Sequence, residues 1–105
     1  MYIDEIEVAD LQQQLASASA NVQLIDIRHH AEIVRGMIPG ADRLPLHLRP
    51  QNLHQVARDK KVVLYCQVGA RSAQACSYLE RKGFENVYNL RGGIQAWTNS
   101  GLMVA

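Results

Sequence analysis

A short apolar strand that runs directly into a cysteine is the strongest constraint on this chain. The run from Val62 to Tyr65 is rich in β-branched side chains and contains no charged or amide residue. That pattern is typical of a strand buried on both faces of a parallel sheet. From Ser72 onward, small or apolar residues recur at helical spacing: Ala73, Ala75, Cys76 and Leu79. Cys66 is therefore predicted to lie just past the carboxyl end of a central strand, where open α/β sheets bind ligands.

The loop after this strand has the composition of an anion cradle. Its N–H groups precede the first intrahelical hydrogen bonds, and the helix dipole adds partial positive charge at the same end. Gly69 permits backbone angles that side chains forbid, and Arg71 adds a charge that does not titrate. Such surroundings lower the pKa of a cysteine from about 8.5 to about 7 or below. We therefore predict that Cys66 is a thiolate nucleophile, or carries an anionic adduct, rather than an inert buried thiol. The candidate site comprises Cys66 and the loop residues Gln67, Val68, Gly69, Ala70, Arg71 and Ser72.

Length and composition limit the classes of partner. The 105 residues predict a single domain, 1–105, and a net charge of +1 gives no global argument for nucleic-acid or membrane binding. No apolar run approaches the ~20 residues of a membrane span, and the acidic amino terminus lacks a signal-peptide pattern. We expect a cytoplasmic protein with no nucleic-acid or membrane partner, in which both cysteines, Cys66 and Cys76, are free thiols.

Predicted strands and helices alternate along the chain. Strands are predicted at Tyr2 to Ile6, Val22 to Ile27, Arg43 to Leu44, Val62 to Tyr65 and Asn86 to Leu90. Helices are predicted at Val8 to Ser17, Gln51 to Ala57, Ser72 to about Lys82 and Ile94 to Asn99, with a loop over Leu46 to Pro50. The alternation predicts an α/β fold in which a central, parallel five-stranded sheet carries helices on both faces. Gly83 is expected to end the third helix in a left-handed conformation, and Trp97 to lie in the core.

Five separate segments of the chain resemble the rhodanese (sulfurtransferase) homology domain, in its single-domain bacterial type. They are Leu24 to Arg28, Glu32, Gly36 to Ala41, Cys66 to Ser72 and Leu90 to Trp97. The resemblance extends from about Ile3 to Trp97. The Gly-x-Ile-Pro-Gly-Ala and Leu-x-Gly-Gly-x-x-Ala-Trp motifs occurring together are more specific than the cysteine loop alone. The chain departs from the family at Met37, where histidine is usual.

The resemblance implies a covalent sulfur transfer in two steps. The Cys66 thiolate takes a sulfane sulfur from a small donor such as thiosulfate and carries it as a persulfide, held by loop N–H groups with the aid of Arg71. A thiophilic acceptor then removes the sulfur: cyanide in an assay, or a cellular thiol such as thioredoxin or glutathione. No metal or other cofactor is implied. The Ser72 hydroxyl is predicted to cap the following helix, with donation into the loop as the alternative.

Two other functions are compatible with parts of the sequence. Related dual-specificity phosphatases and arsenate reductases have one more residue in the loop than the four that separate Cys66 from Arg71 here. The shorter loop favours a sulfur atom over a tetrahedral phosphate or arsenate. A catalytically idle rhodanese fold, used for binding or regulation, is the other alternative. Idle versions usually lack the cysteine, so the presence of Cys66, Gly69 and Arg71 argues against it.

Several polar residues outside the loop are given structural roles. Arg28 and Glu32 are predicted to pair with each other across one turn. Cys76 is interpreted as a small core residue, with a resolving thiol as the alternative. No histidine has familiar metal-ligand spacing among His29, His30, His47 and His54. The arginines that follow strands or turns are interpreted as solvated charges or loop ion pairs, with positive potential at the pocket mouth as the alternative: Arg28, Arg35, Arg43 and Arg91.

Overall fold

The computed structural model describes residues 2–17, 21–44 and 50–105, and within them five parallel strands form one sheet. The strands are β1 (Glu5–Ile6), β2 (Val22–Asp26), β3 (Asp42–Arg43), β4 (Lys61–Tyr65) and β5 (Val87–Leu90). The helices are α1 (Val8–Ala16), α2 (His30–Ile33), α3 (Ala70–Arg81) and α4 (Gly93–Asn99), with a 3-10 helix at Pro50–Gln55. The sheet order is β1-β5-β4-β2-β3. The predicted α/β fold with a five-stranded parallel sheet is confirmed.

Alternate residues of β4 pack into two separate core clusters, one on each face of the sheet. Val62 packs with Leu79 of α3, whereas Val63 packs with Leu11 of α1 and Trp97 of α4. Side chains of successive strand residues point to opposite faces, so these partners show helices on both sides of β4. This burial on both faces explains why the strand needs an unbroken apolar sequence.

The carboxyl ends of the three inner strands lie side by side. The register pairs Asp26 of β2 with Tyr65 of β4, and Leu64 of β4 with Asn89 of β5. Residues that leave these strands, Arg28 after β2 and Cys66 after β4, therefore emerge at the same edge of the sheet. The crossovers bring together side chains that are far apart in sequence.

Two predicted strands differ from the structure at the sheet edges. β1 is confined to Glu5–Ile6, which pair with Asn89 and Leu90, and Tyr2 is 82% exposed instead of paired. β3 lies one residue earlier than predicted, although the Leu44 N–H still donates to the Asp26 carbonyl. Edge strands have a neighbour on one side only, so their apolar pattern defines their length poorly.

The predicted helix at Gln51 to Ala57 is a 3-10 helix that begins at Pro50, and no residue within it is buried. Its Asn, His and Gln residues have low or middling helix propensity, and the absence of a buried face explains why no longer α-helix forms. Leu15 of α1 is 38% exposed, whereas Val8 and Leu11 of the same helix are buried. The predicted loop runs from Leu46 to Pro50. Apart from Pro50 it lies outside the described residues, and so does His47.

Candidate active site

The sulfur of Cys66 lies inside a ring of hydrogen-bond donors supplied by the following loop. The Gly69 N–H donates to Sγ at 3.1 Å, and the Ser72 N–H does so at 3.4 Å. The Ser72 hydroxyl contacts the same sulfur at 3.4 Å, and Cys66 is only 1% exposed. Two backbone N–H donors and a nearby hydroxyl around one buried sulfur make a site that stabilises negative charge.

These donors outweigh the effect of burial on the thiol. Burial acts to raise the pKa of Cys66, but hydrogen bonds from the Ser72 side chain and backbone, and then from the Gly69 N–H, lower it below the ordinary value. A hydrogen bond to the charged form favours that form. The geometry therefore favours a thiolate at a position where burial alone would oppose one.

The loop reaches this shape because its carbonyl groups bond elsewhere. The N–H groups of Ile94 and Gln95, in the first turn of α4, donate to the carbonyls of Cys66 and Gln67 at 3.0 and 3.1 Å. Gly93 permits this approach, because a Cβ there would lie 2.5 Å from the Cys66 carbonyl oxygen. With two carbonyls bound to α4, the loop N–H groups are left to face the sulfur. Gly93 of the Gly-Gly motif is thus part of the cysteine site.

Gly69 makes the turn from the loop into α3. It adopts φ +105°, in the left-handed region that side chains rarely enter, and α3 begins at the next residue, Ala70. The predicted start of this helix at Ser72 is two residues late. Ala70 and Val68 are exposed, whereas Gln67 is half-buried and lines a neighbouring cleft.

The prediction that Ser72 caps the helix is wrong. The residue at the N-cap position is Gly69, and the Ser72 hydroxyl instead lies within hydrogen-bond distance of two acceptors, Asn89 Oδ1 at 2.5 Å and Cys66 Sγ at 3.4 Å. Asn89 is buried in β5, and its amide nitrogen donates to the Gly69 carbonyl at 3.2 Å and to Glu5 at 3.1 Å. Sequence reasoning missed Asn89. An asparagine within a short buried strand was the available signal, because such an amide needs partners.

The predicted pair between Arg28 and Glu32 is also wrong. Arg28 binds Asp26, with Nε and Nη2 both donating to the carboxylate, and this pair is buried. Glu32 binds Arg71 instead: Nη1 and Nη2 each donate to one carboxylate oxygen at 2.8 Å. The backbone of Arg28 explains the difference, because its N–H also donates to Asp26 and directs the side chain back along the strand.

The Glu32–Arg71 pair is geometrically close to ideal and only half-buried. The Arg71 guanidinium lowers the pKa of Glu32 to about 2, so the carboxylate is charged at neutral pH. The sequence predicts that Arg71 adds positive charge beside Cys66. In the structure both of its terminal nitrogens donate to Glu32, and the guanidinium also interacts with Cys66.

A cleft of about 350 Å³ lies beside the cysteine loop. It is lined by Arg28, Glu32, Arg35, Gly36, Gln67, Ile94, Thr98 and Val104. Arg28 Nη1 donates to Gln67 Oε1 at 3.4 Å, which joins one wall of the cleft to the loop. The cleft combines an apolar wall with charged groups at its rim.

The other polar residues considered from the sequence lie in side-chain contacts or in the core, away from the Cys66 sulfur. Arg43 contacts His30 at 2.7 Å, and Arg91 forms an exposed pair with Glu7. Cys76 is completely buried in the core, as predicted, and burial raises its pKa to about 12. In the described part of the chain, no three His, Cys, Asp or Glu side chains gather to form a metal-binding group. No helix within the same residues is long and apolar enough to span a membrane.

Comparison with known proteins gives the family. A family model described as the Rhodanese-like domain matches residues 7–100. The chain belongs to the rhodanese-like domain family. A protein of Allochromatium vinosum named sulfurtransferase is 49% identical over 102 residues, which cover 97% of this chain and 94% of that protein. The Bacillus subtilis protein YtwF is 37% identical, and the match covers 92% of each chain. The crystal structure of a rhodanese-like domain protein from Staphylococcus aureus is 32% identical, with a TM-score of 0.84 over 98% of this chain and 99% of that one.

Met37, the departure from the usual rhodanese sequence, pairs with the carboxyl-terminal segment. Its N–H and carbonyl form two backbone hydrogen bonds with Ala105, at 2.9 and 2.8 Å. The adjacent Gly36 carbonyl accepts from Arg28 Nη2 at 2.7 Å, and the Ile38 N–H donates to the Tyr65 hydroxyl at 3.0 Å. In this rhodanese-like domain the Gly36–Ala41 motif therefore ties one side of the cleft to Tyr65, the last residue of the strand that precedes Cys66.

Proposed function

We propose that this protein is a sulfurtransferase that carries a sulfane sulfur on Cys66 as a persulfide. One observation supports this most directly: the Cys66 sulfur accepts from two backbone N–H groups and contacts a hydroxyl within 3.4 Å. Membership of the rhodanese-like family and the relative named sulfurtransferase support the reaction class. We propose that residues 1–105 act as one rhodanese domain, without a metal or other cofactor.

In the first step, the Cys66 thiolate attacks the sulfane sulfur of a donor such as thiosulfate. The new sulfur–sulfur bond forms as the bond inside the donor breaks, and sulfite leaves with that electron pair. Cys66 then carries a persulfide anion, so charge is conserved. The N–H groups of the loop are in place before the reaction, so these hydrogen-bond donors stabilise the persulfide anion without reorganising. Gly69 and Ser72 supply the donors already seen on the sulfur, and Gln67, Val68, Ala70 and Arg71 complete the loop around it.

In the second step, a nucleophile attacks the outer sulfur of the persulfide. Attack by cyanide gives thiocyanate, and attack by a thiolate gives a persulfide of the acceptor. The Cys66 thiolate is the leaving group in each case and is thereby regenerated. The lowered pKa of Cys66 makes it a better leaving group in this step. A thiol such as thioredoxin or glutathione is the proposed class of cellular acceptor, and both fit the predicted cytoplasmic location because they keep thiols reduced in that compartment.

Intact-mass measurement tests the proposal directly. The wild-type protein is expected to gain one sulfur atom after thiosulfate treatment and to lose it on addition of cyanide. Cys66→Ser should gain none, because a serine hydroxyl does not ionise near neutral pH. Cys76→Ala is the matched control, since it removes the other thiol and should still gain the sulfur.

A negative result must be separable from a damaged protein. If the reduced, folded wild type gains no sulfur from thiosulfate or from an inorganic polysulfide, the proposed reaction is wrong. A gain that persists in Cys66→Ser would instead remove Cys66 as the sulfur carrier. Hydrolysis of a chromogenic phosphate ester, lost in the same variant, would favour the phosphatase alternative.

A further inference from the structure

The Arg71 guanidinium already forms an ion pair in the absence of a sulfur donor. Its two terminal nitrogens donate to the two oxygens of Glu32, both at 2.8 Å. Glu32 is itself held in place, because the His29 N–H donates to Oε1 at 3.1 Å in a reciprocal capping box at the start of α2. A carboxylate fixed from two sides does not move aside freely.

The remaining charges around the cleft leave little attraction for a dianion. Arg28 is bound to buried Asp26 in the same bidentate manner. Glu32 itself lines the cleft, whereas Arg71 is not among the lining residues. The exposed rim residue Arg35 carries the only charge of the lining set for which the structure gives no ion-pair partner, within the residues described. An anion in this cleft therefore lies against the Glu32 carboxylate and not against the Arg71 guanidinium.

We propose that Glu32 is a specificity-determining residue that sets the charge of the accepted sulfur donor. By holding Arg71, it disfavours dianionic donors such as thiosulfate relative to donors with one negative charge or none beside the sulfane sulfur, such as organic thiosulfonates and persulfides. This inference rests on the proposed sulfurtransferase function. The Glu32 carboxylate and an entering dianion are both negative, and they compete for the same N–H groups of Arg71. A dianion therefore gains its full attraction only by displacing the carboxylate.

Two donors of nearly equal shape separate the effect of charge from that of size. Thiosulfate is a dianion, and in the methanethiosulfonate anion a methyl group replaces one charged oxygen. Each donor passes its sulfane sulfur to the Cys66 thiolate, and the leaving group is sulfite in the first case and methanesulfinate in the second. The measured quantity is the ratio of kcat/KM for the two donors, with cyanide as the common acceptor.

Glu32→Gln is the informative variant, because glutamine preserves the capping box while removing the charge. We expect it to shift the kcat/KM ratio toward thiosulfate by about tenfold, the size of a partly screened interaction between near charges. Glu7→Gln is the matched control: it removes a carboxylate that also pairs with an arginine, Arg91, but that does not line the cleft. Its ratio should equal that of the wild type.

An unchanged ratio in a folded Glu32→Gln protein, or an equal loss with both donors, would overturn the inference and leave Glu32 a structural role. Glu32→Ala, which keeps a strong helix former in α2, replaces it if the glutamine variant does not fold, and the same shift is expected. Failure of the proposed function is recognised separately, because neither donor would then add sulfur to the wild-type protein. That outcome would overturn this inference as well.

Discussion

The two cysteines of this chain are both buried, yet their surroundings affect ionisation in opposite directions. Cys66 is 1% exposed and Cys76 is 0% exposed. Hydrogen bonds lower the pKa of Cys66 despite its burial, whereas burial raises the pKa of Cys76 to about 12. The difference teaches that burial does not decide the reactivity of a thiol; the donors aimed at the sulfur do. Cys66 lies where a strand ends, beside loop N–H groups that donate to its sulfur, and Cys76 lies in the middle of α3, where N–H groups bond within the helix.

The largest expected contrast between the two cysteines is in turnover. Cys66→Ser should lower thiosulfate-to-cyanide transfer more than about a thousandfold, because it removes the covalent carrier. Cys76→Ala should keep activity within about twofold of the wild type, since that thiol has no part in the proposed steps. Thiocyanate formation measures both, and circular dichroism confirms folding. Comparable losses in the two folded variants would break the comparison.

Alkylation should separate the two thiols by pH. Because the pKa of Cys66 is lowered, its thiolate persists to lower pH than that of an ordinary cysteine. Its reaction with iodoacetamide should slow only as the pH falls through that lowered value. Cys76 should remain unmodified until the protein is unfolded. Peptide mass spectrometry after timed alkylation gives both profiles, and equal labelling of the two sites in the native protein would contradict the assignment.

Ser72→Ala tests which hydrogen-bond donor gives Cys66 a lower pKa than Cys76. The Ser72 hydrogen bond has the largest lowering effect on the pKa of Cys66, so its loss should move the alkylation midpoint to higher pH. Transfer near neutral pH should slow about tenfold. Ser77→Ala, on the same helix but bonded to Arg81, is the control and should leave the midpoint in place. An unmoved midpoint in Ser72→Ala would assign the lowered pKa to the backbone N–H groups alone.

The smallest expected effect is on stability. Cys76→Ala removes one buried sulfur atom from the core and should cost about 1 kcal/mol of unfolding free energy through the small cavity it leaves. The midpoint of urea unfolding measures this cost. A large loss of activity at unchanged stability would instead support the alternative of a resolving thiol.

The part of the site that could be predicted from sequence is the part built from neighbouring residues. The apolar run of β4, the glycine at position 69 and the helical spacing of α3 lie within about 20 residues, and each has a local physical cause. That is why the amino-acid pattern alone locates the Cys66 loop and the central strand. The parallel sheet follows from the alternation of strands and helices.

The contacts that could not be predicted join residues that are distant in sequence. Glu32 and Arg71 are 39 residues apart, and Ser72 and Asn89 are 17 apart. The spacing of Arg28 and Glu32 matched a helical ion pair, but the chain bends at Arg28 directly after β2, and this brings Arg28 back onto Asp26. Partner choice among charged residues depends on crossover geometry, which no local pattern encodes.

The near-complete burial of the Cys66 sulfur affects which of the two sulfur atoms of a persulfide an acceptor can attack. A persulfide would place its outer sulfur about 2 Å from Sγ. Attack on that outer atom transfers sulfur, whereas attack on Sγ would expel hydrosulfide and leave the acceptor joined to Cys66 as a mixed disulfide. Because Sγ is enclosed by its own loop, the fold favours the first outcome over the second. The cradle would thus control regiochemistry as well as charge, keeping each turnover productive.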